Sequence, residues 1–572
     1  MIIRFAMQRQ LLDHPDKILS LPTKSQFNLS LNPHSRRVHT KAVPRIGGIA
    51  IVTGFFIGTI IMPIPKNILI ILIFSFFLFA IGLIDDIKPL SAKLRLLIQL
   101  TVSTFVIIYS DLSLTSLNLF SNYSITLTPI AGFLLSLFII IGAINSINMI
   151  DGLDGLAAGV VLIGICLLSY IYYINTREYY LLIILTVPIV GAILGFLKYN
   201  THPSSIFMGD CGSNWLGFMM GVFILLVLKN IIIVPEVNGP VLKQLKSSSL
   251  LPFLSILMCV SIPIFDTAHV IILRLVEGKN PMAPDKRHFH HSLIKIGFTH
   301  SQSVVAVYFF MVIFGLFGIL PIAYPQYKFI WAPFIGCVIL CICLFFIQNL
   351  SEGFITKLAT YKMFLTSQQN MGPRISKLLL YWENCNRYII YMILFAAPVF
   401  AGRVPKPLGY AAAAMSIILI LSMFIKKTLT FFEAFIIAVA ATILLITNNS
   451  NPIWIEIMDT KYSLQNLYND LFICLLISTF LFFVLTFKRR YLLIVPTDFL
   501  LALFPLLLLL LPIQIQNDYK LNIIALRSLV LFAALRTLEK RQGHFFYKVH
   551  FICILALIWV ALTSLLKFRI AY

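Results

Sequence analysis

The chain has 572 residues, of which 59% are hydrophobic and 12% are charged, and its mean hydropathy is +0.93. Because soluble domains contain about 25% charged residues, this composition excludes a water-soluble enzyme, a disordered chain and a small disulfide-rich domain. Lys and Arg outnumber Asp and Glu by 44 to 22, which gives a formal net charge of +22. In a membrane protein such an excess is typical of basic cytoplasmic loops beside anionic lipid, so we expect no nucleic acid partner.

Apolar stretches of about 20 residues, the length that crosses a bilayer as a helix, recur along the whole chain. The first part contains ten of them, near 46–63, 67–84, 96–110, 128–149, 155–175, 180–197, 214–229, 250–273, 304–323 and 327–347. The second part contains seven more, near 388–402, 408–425, 429–446, 466–487, 491–513, 522–537 and 548–567. We therefore predict an all-α polytopic membrane protein with about 10 core transmembrane helices and about 7 C-terminal ones.

The spans and the basic stretches between them predict four parts. Residues 1–45 form a cytoplasmic N-terminal segment, and residues 46–350 form a membrane core. Residues 351–387 form a basic cytoplasmic linker, and residues 388–572 form a C-terminal membrane module. Because this module contains basic inner loops but no carboxylate cluster, we predict that it is not catalytic.

The distribution of Lys and Arg predicts which loops face the cytoplasm. If Arg36, Arg37 and Lys41 lie on that side, the alternating loops 85–95 and 274–303 lie there too. These loops also contain the dense groups of carboxylates, amides and imidazoles, although only basic residues were used to orient the chain. Ionisable groups beside membrane spans indicate function, so we predict one polar site at the cytoplasmic face.

Paired carboxylates end the second predicted span. Asp85 and Asp86 repel each other unless a cation or a shared proton relieves the repulsion, so they suit metal binding or general-base chemistry. The alternative is a charged helix cap. Lys93, in the loop that follows, is a candidate for binding an anionic substrate.

Polar side chains recur every three residues after the fourth span. Asn145, Asn148, Asp151 and Asp154 would spread around a straight helix, but the glycines at 152 and 155 allow the chain to break and gather their oxygens. A second glycine-containing segment, Phe207–Ser213, offers backbone N–H groups to a phosphate at a helix N-terminus, with Asp210 beside it to hold a cation. Taken alone, this second segment is equally compatible with a simple turn.

The loop 274–303 has the highest density of charged and aromatic side chains. Metal ligation and phosphate binding compete as roles for its imidazoles, and a solvated charged surface is the third reading. The carboxylates elsewhere suit a hard cation with oxygen ligands better than imidazoles do, so we favour phosphate recognition here. The candidate residues are Arg274, Asp285, Lys286, Arg287, His288, His290 and His291, and Asp266 in the preceding span is expected to face the same site.

Carboxylates for a divalent cation and basic groups for phosphates together indicate phosphoryl transfer. Since no activated Ser, Cys or His nucleophile is evident, direct attack by the acceptor is the simpler mechanism. An acceptor that never leaves the membrane is a lipid phosphate.

At these residues the sequence closely resembles the polyprenyl-phosphate N-acetylhexosamine-1-phosphate transferase family. The resemblance covers roughly residues 32–350, and its motifs occur in the family's order: Arg36-Arg-Val-His39 with Pro44-Arg-Ile-Gly-Gly48, Asp85-Asp86, Asn148–Gly155, Phe207–Ser213 and His288-Phe-His-His291. The resemblance implies Mg²⁺-dependent transfer of a sugar 1-phosphate from a UDP-linked N-acetylhexosamine to undecaprenyl phosphate, with release of UMP. The family also has a transmembrane helix before Arg36, and residues 1–31 supply no apolar stretch for one.

The resemblance also assigns roles to individual residues. It implies Asp210 and Asp151 as ligands of Mg²⁺, for which Mn²⁺ can substitute. It implies four catalytic residues, Asp85, Asp86, Asp151 and Asp154, of which Asp85 and Asp86 flank the metal. It implies that the other motif residues bind the sugar nucleotide: Asn148, Asp151 and Asp154 line the site, Phe207 stacks on uracil, and Lys93, Arg287, His288, His290 and His291 bind phosphates or the sugar.

The resemblance further implies a multi-pass protein of the bacterial inner membrane with its site on the cytoplasmic face. The His-x-His-His form is closer to the branch that begins O-antigen, enterobacterial common antigen or teichoic acid linkages, and N-acetylglucosamine is the first expected sugar. A second copy of the chain or downstream glycosyltransferases are the candidate protein partners. The main competing class is a transporter or lipid flippase, which would place its polar groups at mid-membrane in paired halves.

Overall fold

The structure, a computed structural model, describes residues 12–13, 43–120, 123–176, 180, 182–232, 252–280, 287–323 and 331–348 in the first part of the chain. In the second part it describes residues 381–382, 384–394, 406–424, 454–457, 460–463, 471–479, 496, 499–500, 521–539 and 545–565. The following predictions lie outside the described residues: the span 429–446, most of the span 491–513, most of the linker 351–387, the Arg36–His39 motif, and the candidate residues Asp285 and Lys286. The chain divides into two compact units, Met1–Ile355 and Thr356–Tyr572.

The first unit is a helical bundle with two small antiparallel strand pairs. Its described elements, in chain order, are β1 (Leu12–Asp13), β2 (Val43–Pro44), α1 (Gly47–Ile60), α2 (Lys66–Ile87), α3 (Ala92–Tyr109), β3 (Ser116–Phe120), β4 (Tyr123–Thr126), α4 (Pro129–Ile150), α5 (Leu156–Thr176), α6 (Val187–Asn200, preceded by a π-helical turn Leu182–Thr186), α7 (Gly209–Ile232), α8 (Pro252–Cys259), α9 (Ser261–Val276), α10 (Phe289–Lys295), α11 (His300–Ala323) and α12 (Ala332–Gln348). The β3–β4 hairpin was not predicted from the sequence.

Seven helices in the described part of the chain are long and apolar enough to cross a membrane. They are α2, α3, α4, α5, α7, α11 and the stretch Ile183–Asn200, and the bent pair α8–α9 brings the number to as many as eight. The prediction of a helical, multi-pass membrane protein is confirmed at this level. The predicted total of about 17 spans is not established, because much of the second unit lies outside the described residues.

Helix α7 lies at the centre of the first unit and packs against α1, α2, α4 and α5. Its close contact with α4 depends on two glycines one turn apart. A Cβ atom at Gly217 would lie 2.6 Å from the Cα of Ile144, and one at Gly221 would lie 2.8 Å from the Cα of Ile140. Small residues at such spacing let two membrane helices approach closely, which fixes the position of the α7 N-terminus against its neighbours.

The predicted span 250–273 is not one continuous helix. The chain breaks at Val260, and α8 and α9 meet at a bend of 94°. Pro263 lies in the first turn of α9 and has no backbone N–H to bond to the preceding turn, which favours a break there. The bend re-aims α9, whose Asp266 contacts the segment that carries the histidines, as described below.

The second unit has its own apolar core. Its described elements are α13 (Lys406–Phe424), the hairpin β5 (Trp454–Ile457) and β6 (Thr460–Ser463), α14 (Leu521–Glu539) and α15 (Phe545–Leu565), with further helical residues at 384–394 and 471–479. The helices lie where the spans 408–425, 522–537 and 548–567 were predicted. Buried Ile390, Leu475 and Leu557 belong to one cluster. Arg527 is buried there too, with its guanidinium 5.5 Å from the ring centre of Phe472.

Candidate active site

The N-terminus of α7 is held by Asp86. Oδ1 of Asp86 accepts the backbone N–H of Asp210 at 2.7 Å, and Oδ2 accepts the N–H of Cys211 at 3.0 Å. Gly209 precedes them with a φ of +76°, and a Cβ there would lie 2.7 Å from Asp86 Oδ2. A carboxylate at a helix N-terminus satisfies orphan N–H groups and is favoured by the helix dipole. Both oxygens of Asp86 are therefore engaged in positioning Asp210.

Arg95 lies between two further carboxylates. Its Nη1 atom is 3.0 Å from Oδ2 of Asp210 and 3.3 Å from Oδ2 of Asp85. The side chain of Asp85 is buried, and its other oxygen accepts the N–H of Leu90 at 2.6 Å. The side chain of Asp210 is 43% exposed, so it still opens toward solvent. Asp210 is thus the carboxylate of this group that a ligand can reach.

A chain of amides and a hydroxyl connects the helices behind Asp210. Nδ2 of Asn148 on α4 donates to Oγ of Ser213 at 3.3 Å and to Oδ1 of Asn214 at 3.2 Å. Nε2 of Gln99 on α3 donates to the same Asn214 oxygen at 3.5 Å. Gln99 and Asn214 were not among the predicted site residues: Gln99 stands in an apolar stretch, and Asn214 is the first residue after the segment Phe207–Ser213. They link the first turns of α7 to α3 and α4.

Asp151 follows directly after α4 and keeps an exposed surface. Displacement of water by the surrounding protein, together with the charge of Asp210, raises the pKa of Asp151 to about 7. The charges of Asp86 and Asp154 act in the same direction, while Arg45 acts in the opposite one. Carboxylates from three distant segments therefore share one electrostatic neighbourhood that is short of positive charge. We call Asp85, Asp86, Asp151 and Asp210 the carboxylate centre.

Asp154 has a different environment from Asp151, three residues earlier. It is buried, and its Oδ2 lies 2.8 Å from Nδ1 of His202 and accepts the N–H of Ser204 at 3.2 Å. Its own N–H donates to Nε2 of His300 at 2.8 Å, and the two imidazole rings stack with centres 4.3 Å apart. The ligand atoms of Asp154, His202 and His300 are close enough to hold a metal, but they already bond to one another.

Asp266 on α9 forms a second aspartate–imidazole pair, and here both side chains are buried. Its Oδ2 lies 2.9 Å from Nδ1 of His288, and its Oδ1 accepts the N–H of Phe289 at 2.8 Å, where α10 begins. The 94° bend before α9 brings this carboxylate to the histidine segment. We call Asp154, His202, His300, Asp266, His288 and His290 the histidine cluster.

His290 connects the histidine cluster to the loop after α4. Its ring is 1% exposed, and its Nε2 lies 2.7 Å from where a Cβ at Gly152 would be. Burial and the charges of His291, His288 and His300 lower the pKa of His290 well below its ordinary value. The ring is therefore neutral near pH 7, with one nitrogen as donor and the other as acceptor.

The remaining predicted residues lie at the edges of this region. Phe207 ties its segment to the start of α1, because its N–H donates to the carbonyl of Pro44 and its carbonyl accepts from Gly47, both at 2.8 Å. Lys93 is exposed on the first turn of α3. Arg287 donates to Glu277, and the pKa of Glu277 is lowered by its hydrogen bonds to Lys279 and Arg287. The binding roles of Lys93, Phe207, Arg287 and His291 stay predictions.

These features define a multi-pass membrane protein with a charged site where the ends of its helices meet. Residues 68–228 match the model of glycosyl transferase family 4. A Bacillus subtilis protein named "Probable undecaprenyl-phosphate N-acetylglucosaminyl 1-phosphate transferase" is 33% identical over 292 residues, which is 50% of this chain and 75% of the relative. The chain therefore belongs to glycosyl transferase family 4 and is a transferase, which confirms the family predicted from its motifs.

Two further relatives carry related names. A Mycolicibacterium smegmatis protein named "Decaprenyl-phosphate N-acetylglucosaminephosphotransferase" is 30% identical over 306 residues, 50% of this chain and 73% of the relative. The Escherichia coli K12 protein named "Undecaprenyl-phosphate alpha-N-acetylglucosaminyl 1-phosphate transferase" is 29% identical over 295 residues, 50% of this chain and 75% of the relative. In each case the alignment covers half of this chain.

Proposed function

We propose that the chain transfers N-acetylglucosamine 1-phosphate from UDP-N-acetylglucosamine to undecaprenyl phosphate and releases UMP, which begins a lipid-linked polysaccharide of the cell envelope. The observation that carries this proposal is the carboxylate centre, in which Asp86 holds the N-terminus of α7 and presents Asp210 within electrostatic range of Asp151. The names of the relatives in glycosyl transferase family 4 support a polyprenyl phosphate acceptor.

The carboxylate centre fits a divalent cation. Its donors are hard carboxylate oxygens, which suit Mg²⁺, and Mn²⁺ can substitute for it. The raised pKa of Asp151 reflects crowded negative charge that a cation would relieve. Asp210 and Asp151 would hold the ion, because both oxygens of Asp86 and one of Asp85 already accept backbone N–H groups. Such an ion neutralises the charge of a diphosphate.

The remaining residues of the site bind and orient the substrates. A phosphate oxygen of the lipid acceptor attacks the sugar-linked phosphorus of the UDP-sugar, and the bond to the bridging oxygen breaks, so that its electron pair leaves with UMP. The Asp266–His288 pair fixes the orientation of the imidazole, with Nδ1 bonded to the carboxylate and Nε2 on the far side of the ring. In this proposal Asp85 and Asp86 position Asp210 and Arg95 and do not react with the substrate.

The location of the site follows from the charges of the loops. The ends of α2, α4 and α7 that form the carboxylate centre border the basic segments assigned to the cytoplasm. The UDP-sugar is water-soluble, and the acceptor phosphate lies at the membrane surface, so both reach helix ends at that face. We therefore place the protein in the bacterial inner membrane with its site toward the cytoplasm.

The test is an assay of UMP release by the full chain in proteoliposomes with Mg²⁺, undecaprenyl phosphate and a panel of UDP-sugars. We expect a lipid-linked product, fastest with UDP-N-acetylglucosamine, and loss of activity in EDTA that Mg²⁺ or Mn²⁺ restores. The matched control is Asp111→Asn, because Asp111 is exposed and pairs with Lys229 near the opposite end of α7. Movement of substrate across the bilayer without UMP release would contradict the proposal and support a transporter.

A further inference from the structure

Arg95 is a positively charged side chain that contacts two aspartates of the carboxylate centre. Its Nη1 lies 3.0 Å from Asp210 and 3.3 Å from Asp85, and its side chain is 37% exposed. The guanidinium therefore contacts a carboxylate buried in the bundle and one that opens toward solvent. Arginine stays protonated at any working pH, so it supplies one fixed positive charge to this pair.

This ion pair competes with a divalent cation. Arg95 contacts Oδ2 of Asp210, and a cation bound to either oxygen of this carboxylate would lie within a few ångströms of the guanidinium, where two positive groups repel each other. Asp86 is a less available ligand, because each of its oxygens already accepts a backbone N–H, from Asp210 and from Cys211. The same aspartate is thus needed by both Arg95 and the cation.

Arg95 also borders a recess between α2, α3 and α7. The recess is lined by apolar Leu78, Ile81, Leu90 and Ile98 and, at its polar end, by Asp85, Arg95, Gln99 and Asn214. A guanidinium released from Asp210 stays beside this opening, where a phosphate would be a bidentate partner for it. Phosphates are present in both the diphosphate of a UDP-sugar and the monophosphate of a lipid acceptor.

We propose that Arg95 is the resident counter-ion of the cation site and couples entry of the divalent cation to binding of a phosphate. The proposal rests on the function proposed above. Without a phosphate, Arg95 pairs with Asp210 and keeps cation affinity low. When a phosphate arrives, Arg95 transfers to it and Asp210 becomes available, so the two ligands bind with positive cooperativity.

The test measures Mn²⁺ affinity of the purified full chain in detergent by the electron paramagnetic resonance signal of the free ion. We compare the wild type with Arg95→Gln and with Arg95→Lys, which keeps the charge but cannot form the same fork. Lys88→Gln is the charge-matched control, because Lys88 is exposed and lies three residues after Asp85. Thermal unfolding of each variant checks that it is folded.

Without a phosphate ligand, we expect Arg95→Gln to bind Mn²⁺ about tenfold tighter than the wild type and Lys88→Gln to stay within about twofold of it. Adding UDP-N-acetylglucosamine or a short-chain polyprenyl phosphate should then tighten Mn²⁺ binding about tenfold more in the wild type than in Arg95→Gln. The ligand that produces this difference identifies which phosphate takes Arg95. Arg95→Lys should lie between the two.

Equal or weaker Mn²⁺ binding by folded Arg95→Gln would overturn the role of Arg95, and so would equal coupling to phosphates in both proteins. These outcomes differ from failure of the proposed function. If wild-type protein bound Mn²⁺ no better than Asp210→Asn under any condition, the cation site itself would be wrong. The measurement needs no turnover, so loss of activity in a variant does not obscure it.

Discussion

The carboxylate centre and the histidine cluster both contain aspartates, but the two regions differ in how the negative charge of these aspartates is compensated. In the histidine cluster, Asp154 and Asp266 are buried, and each has an imidazole and a backbone N–H as partners. In the carboxylate centre, Asp151 and Asp210 remain accessible, and the negative charge of Asp210 raises the pKa of Asp151. The difference indicates that Asp154 and Asp266 stabilise the structure of the site, whereas Asp151 and Asp210 are available to bind a cation.

The largest expected effect is at Asp210. Asp210→Asn should lower turnover by at least about a thousandfold, because a cation ligand is lost while the amide keeps the shape of the side chain. Thermal unfolding should change little, since the α7 cap depends on the backbone N–H groups and on Asp86. Turnover close to that of Asp111→Asn would remove Asp210 from the chemistry.

Asp266→Asn should have the next largest effect. The amide oxygen can accept the N–H of Phe289, but the NH2 group then faces Nδ1 of His288, so the imidazole loses its charged acceptor and is held in the other tautomer. Losing a charge-assisted hydrogen bond at a buried imidazole costs about 1.5–3 kcal/mol, which corresponds to about 10- to 100-fold in turnover. Mn²⁺ affinity should stay unchanged, and this readout separates the two regions. Weaker Mn²⁺ binding in folded Asp266→Asn would show that the histidine cluster also contributes to cation binding.

Asp86 tests whether a member of the carboxylate centre acts as a helix cap. Asp86→Ala should lower the free energy of unfolding by about 1 kcal/mol relative to Asp86→Asn, because the amide oxygen can still accept one of the two N–H groups that the carboxylate accepts. Thermal unfolding in detergent with EDTA measures the difference. Equal stability of the two variants would mean that the bonds to Asp210 and Cys211 do not stabilise α7.

The smallest effect is a pH-dependent stabilisation by Asp151→Asn, because Asp151 keeps an exposed surface and solvent screens its charge. Because the pKa of Asp151 rises from 3.8 to about 7 on folding, the folded chain binds this proton more tightly, and ionisation destabilises it as pH rises from about 4 through 7. In EDTA, Asp151→Asn should therefore unfold a few degrees higher than wild type at pH 8, with a smaller gap at pH 5. A lower unfolding temperature at pH 8 would show that Asp151 is not crowded by negative charge.

The sequence predicted the location of the site better than the role of each residue. Adjacent carboxylates at Asp85-Asp86 and the repeated polar residues at Asn148–Asp154 indicated a site where helices end, and the structure brings these segments together. Asp86 caps α7 by accepting N–H groups that lie 124 and 125 residues further along the chain. A local sequence pattern cannot predict a contact between residues so far apart. The bend at Val260 has a local cause that the sequence does show, which is Pro263. Proline has no backbone N–H to donate to the preceding turn, so α8 does not continue into α9 as one straight helix.

The imidazoles of the histidine cluster show the same limit. His288, His290 and His291 were found because they are adjacent in the sequence. His202 and His300 were missed, because each is isolated and becomes part of a group only because α6 ends and α11 begins beside Asp154. A single histidine beside an apolar span carries no signal of its partner, so only tertiary packing reveals it.

The measurement that tests the central claim most directly is pulsed electron–nuclear resonance of Mn²⁺ bound to the full chain with UMP. If the ion binds in the carboxylate centre, we expect magnetic coupling of Mn²⁺ to the phosphorus of UMP and no coupling to imidazole nitrogen, with loss of the bound signal in Asp210→Asn. Strong nitrogen coupling that disappears in His202→Ala or His300→Ala, but survives in Asp210→Asn, would place the ion in the histidine cluster and contradict the account.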